Sequence, residues 1–352
     1  MVMKNIYRDV EHPFAQYIRI IGKGKTGSRS LSFEEAQAAF AMIVRGEVLE
    51  AQLGAFLMLL RVKEESPEEL AGFVAATREW LAATREWLQA PHIAVDLDWS
   101  SYAGKRKHYP WFLLAALVLA ENGVRIFMHG ASGHTINRLY TEEVLPVLGY
   151  GLCQTWTDVE QQLNQKNFAY MSLDAYCPPL GNIIQLRNIM GLRSPVHTLA
   201  RLINPLNAKC SLQAIFHPAY RESHQQAAKL LNYSNSMVIK GEGGEFERNP
   251  DGRCLVKGIK NGELYDLEWP MMFEERHNAE DEFSLDDFIA VWRGQKAHEY
   301  GESAVIGTLA LALIGLQRCN DPEEALTLAQ QWWHNRKAKQ KIKAGEQMDL
   351  FA

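Results

Sequence analysis

No run of about eighteen apolar residues occurs anywhere in the chain, so no membrane span is indicated. The N-terminus, MVMKNIYRDVEHPF, lacks the apolar centre of a secretory signal. Together these absences lead to the expectation of a cytoplasmic protein with no membrane partner. Paired cysteines are missing as well. Cys153, Cys177, Cys210, Cys254 and Cys319 are scattered without a C-x-x-C spacing, so neither a zinc site nor a disulfide framework is indicated, and they read as buried thiols. Nor is positive charge in excess. With 37 Lys and Arg against 42 Asp and Glu, the net charge of −5 excludes whole-surface attraction to nucleic acid, and any such contact has to be local.

What is present is enough apolar sequence for a sizeable core: 352 residues, 47% hydrophobic, long enough for two domains. The first ninety residues read as helices. In SRSLSFEEAQAAFAMIVRGEV, Ser32 and Glu35 make a capping box, Phe33, Ala36, Phe40, Ile43 and Val44 recur at helical spacing, and Gly46 ends the run. In KEESPEELAGF, Ser66 is the N-cap, Pro67 the first helical residue and Glu69 the reciprocal acceptor. The repeat AATREWL-AATREWL, residues 75–81 and 82–88, puts Trp80, Trp87, Leu81 and Leu88 on one stripe that should pack on another helix.

After Pro91 the pattern changes. HIAVDLDW (92–99), VRIFM (124–128), FAYMSL (168–173), SLQAIF (211–216) and SMVIKG (236–241) are short apolar runs separated by helical text, the signature of a mostly parallel sheet. CLVKGIKNGELYDLEW adds a hairpin turning at Asn261-Gly262. The expected class is α/β with a small all-helical N-terminal domain and a mostly parallel central sheet flanked by helices. The expected division is a helical domain over 1–91, rejoined by helical residues 178–203, an α/β domain over 92–177 and 204–343, and a flexible tail over 344–352.

Two segments carry a family resemblance. SFEEAQAAFAMIVRGEVLEAQLGAFLMLLRVKEESPEELAGF resembles the helical domain of the anthranilate phosphoribosyltransferase family, glycosyltransferase family 3, and LRNIMGLRSPVHTLARLINP (186–205) resembles its arginine, Leu-Gly-x-Arg-Thr and Asn-Pro segment. The resemblance implies the class IV phosphoribosyltransferase fold, a hinge between the domains and a homodimer formed through the helices. SYAGKRK, MHG and RSPVHTLARLINP look more like the divergent YbiB-like branch, which is associated with nucleic-acid binding.

The family's catalytic motifs are altered in this chain. Its phosphoribosyl-pyrophosphate loop, Gly-Thr-Gly-Gly-Asp, falls on Ser100, Ser101, Tyr102, Ala103 and Gly104, and the following Asn-x-Ser-Thr falls on Pro110, Trp111, Phe112 and Leu113. Glycines in such a loop let backbone N–H groups approach a pyrophosphate at a helix N-terminus, and most are replaced. Lys-His-Gly-Asn becomes Met128-His129-Gly130-Ala131, and the metal-binding Asp-Glu pair falls on Phe246-Glu247. One carboxylate is a poor Mg2+ site, although Glu242 or Glu245 could substitute. Arg187 matches the arginine that contacts the aromatic acceptor in catalytic members. Ser100, Ser101, Gly104, His129, Gly130 and Arg187 are therefore the ligand pocket that the resemblance implies, with Mg2+ needed only by an active enzyme.

In place of the glycine cradle stands SSYAGKRKHYP, where Lys105, Arg106, Lys107 and His108 offer charge that suits separated phosphates along a strand. Tyr102, Tyr109 and Trp111 could stack on unpaired bases, or be core aromatics beneath a solvated basic loop. A helix from Pro322, capped by Asp321, carries a second basic stretch that includes Arg336, Lys337 and Lys339. Beyond Gly345, Gln347-Met348-Asp349-Leu350-Phe351 resembles the pentapeptide by which bacterial replication and repair proteins dock on the DNA sliding clamp, with Gln347, Leu350 and Phe351 as anchors. The functional expectation is a dimeric binder of single- or double-stranded nucleic acid, a possible clamp ligand, on a phosphoribosyltransferase scaffold. The alternative is an active pentosyl or phosphoribosyl transferase with an altered substrate.

Overall fold

A computed structural model of the chain describes residues 11–84, 93–133, 135–278 and 284–349, the side chains of 84 and 337–349 excepted. Four helices come first: α1 (Ala15–Gly22), α2 (Phe33–Val44), α3 (Glu50–Lys63) and α4 (Pro67–Thr84). Their starts are fixed by local chemistry. Glu35 N donates to Ser32 Oγ at 3.2 Å while Ser32 N donates to Glu35 Oε2 at 2.9 Å, and Glu69 and Ser66 exchange the same pair at 3.2 and 2.8 Å. Trp80 is half-buried on the helical core, whereas Trp87 and Leu88 lie outside the described residues.

The alternation that follows runs β1 (Leu97–Ser101), α5 (Trp111–Glu121), β2 (Ile126–Gly130), α6 (Thr141–Val144), α7 (Trp156–Lys166) and β3 (Phe168–Ser172). Four short helices come next: α8 (Leu173–Tyr176), α9 (Pro178–Gln185), α10 (Arg187–Met190) and α11 (Val196–Leu199). Then come β4 (Cys210–Ile215), α12 (Tyr220–Leu230), β5 (Asn235–Lys240), β6 (Cys254–Lys260) and β7 (Glu263–Trp269), and last α13 (Leu285–Trp292), α14 (Glu299–Gly315) and α15 (Pro322–Asp349). The seven strands form one sheet, ordered β3-β2-β1-β4-β5-β6-β7. The first five are parallel, and β6 and β7 add an antiparallel hairpin that turns through Asn261 and Gly262 with φ of 52° and 82°. α9 and α11 return to pack on α2 and α4.

Two apolar clusters cover the two faces of this sheet. One face is covered by α5, α13, α14 and the Ala325, Ala329 and Trp333 stripe of α15. α5 is buried all round, as a helix with no polar face has to be. The other face joins the helical core, through Tyr102, Phe127 and Met171. The five thiols are free and buried, as their scatter suggested.

Two boundaries differ from the sequence expectation. β1 begins at Leu97 and runs on through Ser100 and Ser101, and β2 includes His129 and Gly130, so these four residues sit in paired strands. Strand β2 passes so close to β1 that a Cβ on Gly130 would lie 2.0 Å from the Ser101 carbonyl oxygen. At the other end, α15 continues through Gly345 to Asp349, where a break and a loose tail were expected; a single glycine weakens a helix without necessarily ending it.

Candidate functional site

Five parallel strands bring their carboxyl ends to one edge, and the order reverses between β1 and β4, the place where α/β sheets take ligands. The loops after β1, β2 and β5 meet there. Their polar groups are largely committed to one another. Glu245, 1% exposed, accepts the backbone N–H of Ala103 at 2.6 Å and of Gly104 at 2.7 Å. Ser101 also bonds it, and burial raises its carboxyl above the usual range, with Arg201 opposing. Glu247 accepts an amide of the first turn of α5, Phe112 N–H, at 2.8 Å and the ammonium of Lys105 at 2.6 Å. Burial pushes this carboxyl up to about 7 against the pull of Lys105. Arg138 closes the arrangement from outside, donating to the carbonyls of Ala103, Gly104 and Gly243 at 3.0, 2.9 and 3.2 Å. Two amides and a helix N-terminus, the groups that would hold an anion, thus hold the chain's own carboxylates.

This geometry corrects several sequence expectations. Lys105 is 1% exposed and serves Glu247, so it is no phosphate contact. His108 is buried and stacks on Tyr300 with ring centroids 4.2 Å apart. Of the basic quartet only Arg106 and Lys107 face solvent. Tyr102, Tyr109 and Trp111 are core residues and offer no face to a base. Arg336 is buried as well, donating to the carbonyls of Val291, Trp292 and Trp333 and stacking over Trp333, and burial lowers its guanidinium to about 9. The side chains of Lys337, Lys339 and Gln347 are not described, and Leu350 and Phe351 lie outside the described residues.

The residues of the implied ligand pocket also make contacts within the chain. Ser100 donates to Leu212 O at 3.2 Å, and Ser101 Oγ lies 2.7 Å from Thr141 Oγ1. His129 is enclosed, Nε2 3.1 Å from Asp98 Oδ1 and Nδ1 2.7 Å from the Tyr102 hydroxyl. Gly104 takes φ 66° at the loop's bend and Gly130 is required by strand contact. Arg187 donates to Thr135 Oγ1. Glu247 does not fit a Mg2+ ion, because an ammonium already occupies its free oxygen, and no group of three His, Cys, Asp or Glu side chains is poised for a metal among the described residues.

Reasoning from the sequence passed over a different set of cations. Arg193, Arg201 and Arg61 line a pocket of about 110 Å3 at the carboxyl end of β4, together with Ser194, His217 and Tyr220. The signal was readable: between Asp174 and Glu222 the chain has no acidic residue, yet it holds Arg187, Arg193, Arg201, Lys209 and Arg221. Beside Lys107 a second cleft, of about 460 Å3, is lined by Lys240, Arg253, Arg276 and the His277–Asp251 pair.

Comparison with known proteins places this architecture. A glycosyl transferase family's helical bundle domain matches residues 15–80, and its a/b domain matches residues 112–339. The chain belongs to this family. Anthranilate phosphoribosyltransferase of Methylocella silvestris is 30% identical over 318 residues, 88% of each chain. An uncharacterized protein, YbiB of Escherichia coli, is 29% identical over 245 residues, 68% of this chain and 74% of that one. Among solved structures, anthranilate phosphoribosyltransferase from Thermus thermophilus superposes with a TM-score of 0.73 at 20% identity, over 95% of this chain and 98% of that one. The Saccharomyces cerevisiae enzyme in complex with PRPP and Mg also gives 0.73, at 16% identity over 95% and 97%. Family membership and fold follow from these matches; the acting groups have to be read from the chain itself.

Proposed function

We propose that this member of the glycosyl transferase family has given up phosphoribosyl transfer and binds nucleic acid on the same scaffold. One observation carries the first half: Glu245 and Glu247 occupy the Ala103, Gly104 and Phe112 amides. A pyrophosphate entering there would find these amide donors taken by two buried side chains and would have to displace them, leaving buried polar groups unpaired. The altered-transferase reading needs those same amides free.

The binding half rests on cations displaced to the rim. Arg106 and Lys107 are exposed, and Lys107 lines the neighbouring cleft with Lys240, Arg253 and Arg276, beside Glu242 and Asp251. Such a row suits successive phosphates of a strand, and its effect is local, as the net charge of −5 requires. The same reading includes a homodimer that covers the apolar groove of about 690 Å3 between α2, α3 and α9, and clamp docking through Gln347, Leu350 and Phe351.

The test pairs two assays on the intact chain. Anthranilate with phosphoribosyl pyrophosphate and Mg2+ should give no turnover at an ordinary enzyme rate. Oligonucleotide binding should weaken with salt, and replacing Lys107, Lys240 and Arg276 together with alanine should flatten the log-log slope by roughly one unit per lost phosphate contact. Ordinary turnover would overturn the proposal, as would oligonucleotide binding too weak to measure at low salt.

A further inference from the structure

We infer that the pocket at the carboxyl end of β4, built on Arg193 and Arg201, is a binding site for a single phosphate group. It lies apart from the strand-binding cleft and does not depend on that reading. Three observations carry it. The first is position: Ala214, Ile215 and Phe216, at the end of β4, line it, beside the reversal of strand order. The second is size. A pocket of about 110 Å3 admits a phosphate group and is too small to enclose a nucleoside.

Charge is the third. Arg193 is half-buried, and its one hydrogen bond among the described residues is to Thr135 Oγ1, at 3.5 Å. Among the described residues neither Arg193 nor Arg201 forms an ion pair with a carboxylate within 4 Å. Burial, and then the like charges of Arg201, Arg187 and Arg138, lower the Arg193 guanidinium to about 10. Of the acids nearby, none reaches Arg193. Glu245 faces Arg201 from the loop side, and Glu64 and Glu65 lie beside Tyr220 and Arg61 at the rim. Arg201 itself donates to His197 O and has its guanidinium over the Tyr102 ring at 5.7 Å, which fixes its direction. A half-buried guanidinium among three others without a carboxylate is costly, and a dianion bonded by Arg193, Arg201 and the Ser194 hydroxyl removes that cost.

The phosphate has two possible sources, free inorganic phosphate or the terminal phosphate of a nucleic-acid strand, and the experiment separates them. Inorganic phosphate is titrated into the full chain by calorimetry, and melting is followed with and without it. The parent should bind phosphate saturably and melt higher in its presence. Arg193→Met should lose affinity on the order of tenfold or more, while melting no lower than the parent in phosphate-free buffer, because the charge removed had no partner. Arg61→Ala, at the exposed rim, should weaken phosphate several-fold and guards against a variant that fails to fold. A strand with a 5′-phosphate that outcompetes its 5′-hydroxyl twin, and loses the advantage in Arg193→Met, identifies the strand end; equal binding of the two identifies the free ion. No saturable phosphate binding, or binding undiminished in both variants, overturns the site. Oligonucleotide binding without phosphate binding would sink this pocket alone, and phosphate binding without oligonucleotide binding would sink the strand reading alone.

Discussion

At the end of β1, Lys105 meets Glu247 at 2.6 Å and the Ala103 and Gly104 amides meet Glu245, whereas at the end of neighbouring β4 Arg193 has a threonine hydroxyl 3.5 Å away. Both places lie on the ligand edge of the same sheet. In one, the polar groups have been satisfied from within, which makes it part of the core; in the other, Arg201 is opposed by Glu245 while Arg193 has no carboxylate partner among the described residues. The contrast teaches that an inherited ligand edge can be closed at one strand and left open at the next. It also says where to look for a ligand: buried charge without an internal partner is the better guide, because an internally matched group has no further demand to make of a ligand.

The sharpest break of that comparison comes from removing the internal partner. Lys105→Met should strand Glu247 and destabilise the fold by about 3–5 kcal/mol at pH 8, read from denaturant melts. A loss near zero would mean that the loop is not closed from within. The second effect is a pH dependence at the rim of the open pocket. Burial raises Glu65 to about 7, from an ordinary 4.5. The fold therefore favours its protonated form, and the stability it contributes is complete below about 4.5 and lost as pH climbs through 7, up to about 3 kcal/mol. Glu65→Gln should flatten that loss between pH 5 and 8. His224, lowered by burial to about 3, works the other way, adding stability as pH rises towards 6.5, so the difference between variant and parent is the quantity to measure.

Smaller effects sharpen the division between buried and exposed cations. Arg336→Met leaves the Trp292 carbonyl without its donor, Val291 O keeping the Gly294 N–H, and should cost about 1–3 kcal/mol, with oligonucleotide affinity unchanged. A fall in affinity would return Arg336 to the binding surface. Lys107→Ala should move stability by less than about 0.5 kcal/mol and flatten the salt slope of binding by roughly one unit. An unchanged slope would take Lys107 off the path of the strand.

Much of the fold was legible because its signals are local. The Ser32–Glu35 and Ser66–Glu69 boxes act over three residues, and the Asn261-Gly262 turn over two. The site was less legible because burial of a cation is decided far along the chain. Lys105 and Arg106 are adjacent, yet one is enclosed by a carboxylate 142 residues away and the other is solvated. Sequence adjacency gave both the same role. Arg336 was likewise grouped with its basic neighbours, although Trp292 and Val291 enclose it. The acid-free stretch from Asp174 to Glu222 was the overlooked cue, visible as missing negative charge and not as a motif.

The apolar cluster that runs from α1–α4 under the sheet to Phe127 and Met171 has a consequence for how the molecule moves and melts. Arg78 of α4 donates to Ile203 O at 2.6 Å and lies over the Tyr233 ring at 4.9 Å, so helical and α/β parts share side chains as well as a boundary. Swinging one part away from the other would wet that common core, and the hinge expected from family resemblance has little room to act. Heat should accordingly take the whole chain apart in a single calorimetric transition, and a fragment ending after α4 should not fold by itself.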